Sequence, residues 1–80
     1  MNDELAYTLI EIRSALPTGW SVPPDSAGDW DSQQATWSID LLDGSELAWR
    51  VRVKKSDAEA LGKQEALRRA TDRAVRRAKR

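Results

Sequence analysis

Three groups of residues in this 80-residue chain have the type and spacing to do chemistry or to hold a partner. The first lies in "PDSAGDWDSQ", where Asp25, Asp29 and Asp31 surround Trp30. Clustered carboxylates in a loop can hold a hard cation. Here the spacing misses the D-x-D-x-D-G order and no bidentate Glu follows, so no metal site is read. A ring among acids suits a different task, anchoring a basic protein surface. The same ring can also fold back as a lid over the core.

The second group is Arg69, Arg73, Arg76 and Arg80, with Arg77 at their flank. At 3.6 residues per turn these guanidinium groups share one side of a helix, where they can contact successive phosphates and release counterions. Cations near a helix C-terminus are also favourable through the dipole alone. The third group is Arg50, Arg52 and Lys54, which alternate along "RVRVK" and share one face of a strand.

Catalysis has little to work with. There is no His and no Cys, so the commonest proton shuttle and soft nucleophile are missing, and with them disulfides and thiolate metal sites. No glycine-rich phosphate loop is present. The expectation is a protein that is not an enzyme and needs no cofactor. A reducing, cytoplasmic setting fits the absence of cysteine. The N-terminus shows no signal peptide and no stretch has the length of a membrane span, so no membrane partner is expected.

The elements that must position these groups follow from periodicity. Leu5, Leu9, Ile12 and Leu16 fall on one face of a helix over 2–16, capped by Asn2 and stopped by Pro17. Trp20 to Val22 reads as a short strand ended by Pro23 and Pro24, and the stretch through Gln34 as a loop. Strands over 35–41 and 47–53 flank "LDGS". A three-residue loop, Leu42-Asp43-Gly44, with Ser45 in a bulge, sets Trp37 opposite Trp49 and keeps the apolar positions on one face. The basic residues of the second strand then look outward.

A second helix runs from about Asp57, with Ser56 and Glu59 as a capping box and Gly62 as a point of kinking or later start. Its buried side gathers Ala60, Leu67, Thr71, Ala74 and Ala78. Glu59–Lys63, Glu65–Arg69 and Asp72–Arg76 stand four apart, acid first.

The fold expected is α+β: one small domain over 1–80, two-layer α-β-β-β-α, with a small antiparallel sheet and both helices on one face. The order of elements resembles that of double-stranded-RNA-binding domains, and its latter part the sheet-then-helix DNA-binding modules of some phage-type integrases. Lys54-Lys55-Ser56 sits near where the RNA-binding family places lysines at its second helix. That family has basic residues between its first two strands, where this chain has Asp25, Asp29 and Asp31.

Charge separates along the chain. Residues 1–47 hold nine acids against one base, and 48–80 hold twelve bases against four acids, for zero net charge. Leu, Ile and Val supply only 15 side chains and Phe none, a thin core that four tryptophans supplement and self-association would help. The function expected first is a non-enzymatic protein-binding module of regulatory, adaptor or inhibitor type, using Trp30 with Asp25, Asp29 and Asp31. The alternative is a nucleic-acid-binding domain working through the Arg-rich helix or the basic sheet face. On this reading the two basic groups lie on opposite sides of the domain, because the helix packs under the sheet.

Overall fold

A short extended lead, Glu4 to Thr8, brings the chain into its first helix, and it carries two core residues. The computed structural model describes residues 4–24, 28–45 and 47–79. The order of elements is α1 (Leu9–Ala15), β1 (Asp29–Asp31), β2 (Thr36–Leu42), β3 (Ala48–Lys54), α2 (Lys55–Leu61) and α3 (Lys63–Ala78). The strands form one antiparallel sheet in the order β1-β2-β3. Ile12 of α1 and Ala66, Leu67, Ala70 and Ala74 of α3 join the sheet's inward residues in one core, so both helices cover the same face. The fold is α+β, as expected.

The first helix begins later than its periodicity predicts. Thr8 caps it: the Glu11 amide donates to Thr8 Oγ1 at 3.1 Å, and the Thr8 amide donates to Glu11 Oε1 at 2.8 Å. This reciprocal box satisfies two otherwise orphaned donors at once. Upstream of it the backbone is extended, and alternation buries Leu5 and Tyr7 instead of a helical stripe. Leu9, placed by the 3.6 period on the inner face, is 42% exposed.

The strand expected at Trp20 to Val22 shrinks to one bridge, Ser21 with Leu42, both amides donating at 2.9 Å. Pro23 has no N–H with which to continue it. The third strand lies instead within the expected loop, where Trp30 pairs directly with Trp37. Gly28 makes this approach possible. Its φ is +91°, and a Cβ there would stand 2.5 Å from the Trp37 indole.

The central hairpin keeps its predicted faces but not its predicted register. Trp37 stands opposite Val53, Ile39 opposite Val51, and Leu41 opposite Trp49. Asp43 is the cause. Its carboxylate accepts from the amides of Ser45 (2.7 Å) and Leu47 (3.1 Å) and from Trp49 Nε1 (2.7 Å), while its own amide donates to the Leu47 carbonyl. The turn therefore closes on Asp43 and Leu47. The slip is an even number of residues, which leaves every side chain on its intended face. Trp37, Ile39, Leu41, Val51 and Val53 are buried, and Arg50, Arg52 and Lys54 are exposed. Leu47, expected inside, is 58% exposed at the turn.

The C-terminal helix is two helices. Gly62, with φ +93°, breaks it, and α2 starts at Lys55 without a side-chain cap, so the Ser56–Glu59 box does not form. Lys63 pairs with Glu11 (3.2 Å) and Glu59 with Lys55 (3.9 Å), in place of the expected Glu59–Lys63 pair. Ala60, on α2 before the break, is exposed, and Ala78, in the last turn of α3, is half-buried.

Tyr7 ties the extended lead to this junction. Its hydroxyl donates to the Lys63 carbonyl at 2.6 Å, its ring lies 4.6 Å from Trp37, and Lys63 Nζ sits 5.0 Å from its centroid. Burial, helped by the nearby Glu11 carboxylate, pushes the Tyr7 phenol up to about 12.

Candidate polyanion-binding surface

The position of β3 decides which cations meet. It is an edge strand, and it runs without a loop into α2, so the chain turns back directly beneath it and α3 packs on β3. The Leu47 carbonyl accepts from the Asp43 amide and the Lys55 amide donates to the Ala35 carbonyl, both on the β2 side. By alternation Arg50 and Arg52 therefore turn their backbone groups to the free edge. Arg77 reaches that edge from α3, its Nη2 donating to the Arg50 carbonyl at 3.1 Å.

Arg50 and Arg52 of β3 and Arg73 and Arg77 of α3 consequently line one cleft of about 190 Å³, floored by Ala70. This overturns the expectation that the two basic groups face opposite ways. A helix under the middle of a sheet would hide its outer stripe from the open face. A helix under the edge strand lets the stripe wrap around it. Arg73 also lines a neighbouring recess with Arg69, Asp72 and Arg76, so the basic surface continues along α3.

The cations differ in how far they are neutralised. Arg50 is clamped by Asp40, with Nε to Oδ1 at 3.0 Å and Nη2 to Oδ2 at 3.3 Å. Glu65 takes both Arg68 (2.8 Å) and Arg69 (2.9 Å), and the two guanidinium groups, Arg69 first, hold its carboxyl below the usual range. Among the described residues Arg52, Lys54, Arg73 and Arg76 form no ion pair, and Arg77 holds only a carbonyl. The expected Asp72–Arg76 pair is not made. Arg80 lies outside the described residues. Three guanidinium groups and an ammonium are thus left to solvent or a ligand on one side of the molecule.

The acidic group fares differently. Trp30 turns inward, half-buried against the core, whereas Asp29 and Asp31 are exposed on the opposite face of the same short strand. Period-two alternation splits the ring from its acids. The ring and its acids therefore lie on different sides of the sheet, and Asp25 lies outside the described residues. Asp31 is also engaged in its turn, Oδ1 accepting from the amides of Gln33 (2.9 Å) and Gln34 (3.2 Å).

Sequence reasoning missed Asp40, which selects which arginine is neutralised; its place opposite Arg50 needed the true register. It also missed the loop-free junction at Lys54–Lys55, the signal that α3 would return beside β3. Among the described residues no helix is long and apolar enough to cross a membrane, and no three acidic side chains gather to hold a metal ion. Compared with known proteins, the chain matches no family model, no curated protein and no solved structure.

Proposed function

We propose that this domain is a non-catalytic binding module whose ligand is a polyanion, with the phosphate backbone of a nucleic acid as the chemistry its arginines fit. The observation that carries the reading is the convergence of Arg50, Arg52, Arg73 and Arg77 from two elements on one cleft. Bringing like charges together is unfavourable unless acids or a ligand compensate, and only Arg50 has an acid partner here. Guanidinium groups offer paired donors that match phosphate oxygens, and each contact releases condensed counterions. On the sheet face Asp31 shares a second recess with Arg50 and Arg52, while the strand carrying it stands about 10 Å from β3, beyond the Debye length at physiological salt.

The test is fluorescence anisotropy with labelled duplex and single-stranded nucleic acid over a salt series. Binding should weaken steeply with salt, by a log–log slope of about −0.9 for each phosphate contacted. Arg52→Gln with Arg73→Gln should reduce affinity for every sequence alike. Absence of binding at low salt, or binding by acidic peptides alone, overturns the reading.

A further inference from the structure

The open sheet face carries its charges in columns. Asp29 stands beside Ser38 and Ser38 beside Arg52; Asp31 stands beside Thr36 and Thr36 beside Lys54. Each of these rows across the sheet reads acid, hydroxyl, base. Neighbouring strands are about 4.8 Å apart, so the acid and base columns are about 10 Å apart, too far for direct pairing. Only Asp40 and Arg50, on adjacent strands, close on each other.

We infer that this face is a self-complementary docking surface for a second copy of the chain. It bears three acids (Asp29, Asp31, Asp40) and three bases (Arg50, Arg52, Lys54), with no net charge, and the bases are confined to the β3 column. It favours a surface with the same columns in reverse order. A twofold axis parallel to the strands, midway between two facing sheets, supplies that surface. It lays β1 of one copy over β3 of the other, and β2 over β2, with no shift along the strands. Arg52 then faces Asp29 of the second copy and Lys54 faces its Asp31, and symmetry makes each pairing twice. A twofold lying across the strands would set β1 on β1 and like charge on like. The charge pattern therefore selects the first axis.

The side chains suit the gap. Sheets stack about 10 Å apart, which a long Arg or Lys and a short Asp bridge together. In the central column Ser38 and Thr36 leave room for bridging water, and Asp40 meets Asp40 of the second copy with its charge already held by Arg50 of its own chain. Strand rise and spacing give a footprint on the order of 300 Å², below the roughly 800 Å² per partner of a standard stable interface. The dimer is accordingly weak and salt-sensitive. It leaves Arg73, Arg76 and Arg77 on α3 uncovered but engages Arg52, which also lines the polyanion cleft, so dimer and polyanion compete there. The dimer is tested without a polyanion and does not rest on the proposed function.

Sedimentation equilibrium of the full chain decides it, from about 10 µM to about 1 mM at low and high salt. The wild type should form dimers at low salt and dissociate at least tenfold more readily at high salt. Asp29→Arg with Asp31→Lys, and separately Arg52→Asp with Lys54→Asp, should each be monomeric. The two variants mixed should associate, and all four changes in one chain should restore the homodimer. A wild type that stays monomeric at low salt, oligomers that grow beyond two, reversed variants that dimerise as well as the wild type, or a mixture that stays monomeric overturns the inference. Should a variant fail to fold by circular dichroism, the wild-type concentration and salt series decides alone.

Discussion

Along β1, Asp29 and Asp31 stand on the outer side of a three-residue strand whose inner side chain, Trp30, packs against the core opposite Trp37 in register. Along β3, Arg50, Arg52 and Lys54 stand on the outer side of a seven-residue strand whose inner residues, Val51 and Val53, are fully buried. Both edges use the same alternation of apolar inside and charged outside. They differ in what lies beside them. Among the described residues no helix packs substantially on the β1 edge, and its acids stay a simple column. The β3 edge has α3 beneath it, and the arginines of that helix add to those of the strand. A charged strand becomes a concentrated site when the neighbouring element brings the same charge to the same edge.

Trp37→Ala should break the comparison most completely, since its ring packs against Tyr7 and its residue pairs across the sheet with Trp30. Removing a fully buried indole costs about 3–5 kcal/mol, a large share of the stability of so small a domain, read as a lower midpoint in urea. Gly28→Ala should break only the acidic side. Its Cβ would meet the Trp37 ring and its φ of +91° disfavours any Cβ, so about 1–2 kcal/mol is lost from conformation alone. Amide exchange should rise in β1 while β3 and α3 remain protected. Equal loss of protection in β3 would show that the two edges are not separable.

Tyr7→Phe sharpens the account of the junction beneath them. It removes the hydroxyl that donates to the Lys63 carbonyl and should cost about 1 kcal/mol. The wild type should also lose stability as pH rises from about 10 toward about 12, because the raised phenol stays neutral in the fold while the unfolded chain ionises first. The Phe variant should lack that fall, as read by urea titrations across the range. The smallest effect on stability belongs to Arg73→Gln, an exposed position without an ion pair, within about 0.5 kcal/mol of the wild type. Its affinity for a polyanion should nevertheless drop and its salt slope flatten by about 0.9.

How much of this was legible in the residues varies by element. The faces of the hairpin could be read because Trp37, Ile39 and Leu41 alternate with polar residues, and so do Val51 and Val53. Parity survives an even slip of register. The register itself could not be read, since it depends on one carboxylate, Asp43, collecting three donors, the last from a tryptophan six residues on. The first helix was overextended because Leu5 and Leu9 fit a helical period, while the Thr8–Glu11 box that starts the helix is an equally local signal. The strand at Asp29–Asp31 is too short to show a period and exists because Gly28 lets it lie against Trp37.

The arginines of the candidate site were all identifiable from type and spacing. Their meeting was not, because it depends on which strand α3 lies beneath. The loop-free passage from Lys54 to Lys55 is the one trace of that arrangement in the sequence.

Backbone amide shift mapping at low salt, with a short nucleic-acid duplex as titrant, tests the central claim most directly. Shifts should concentrate in β3 at Arg50 and Arg52 and in the second half of α3 from Arg69 to Arg77, fade as salt is added, and spare β1 and α1. Shifts centred on β1 and Trp30, or none at any salt, would contradict it.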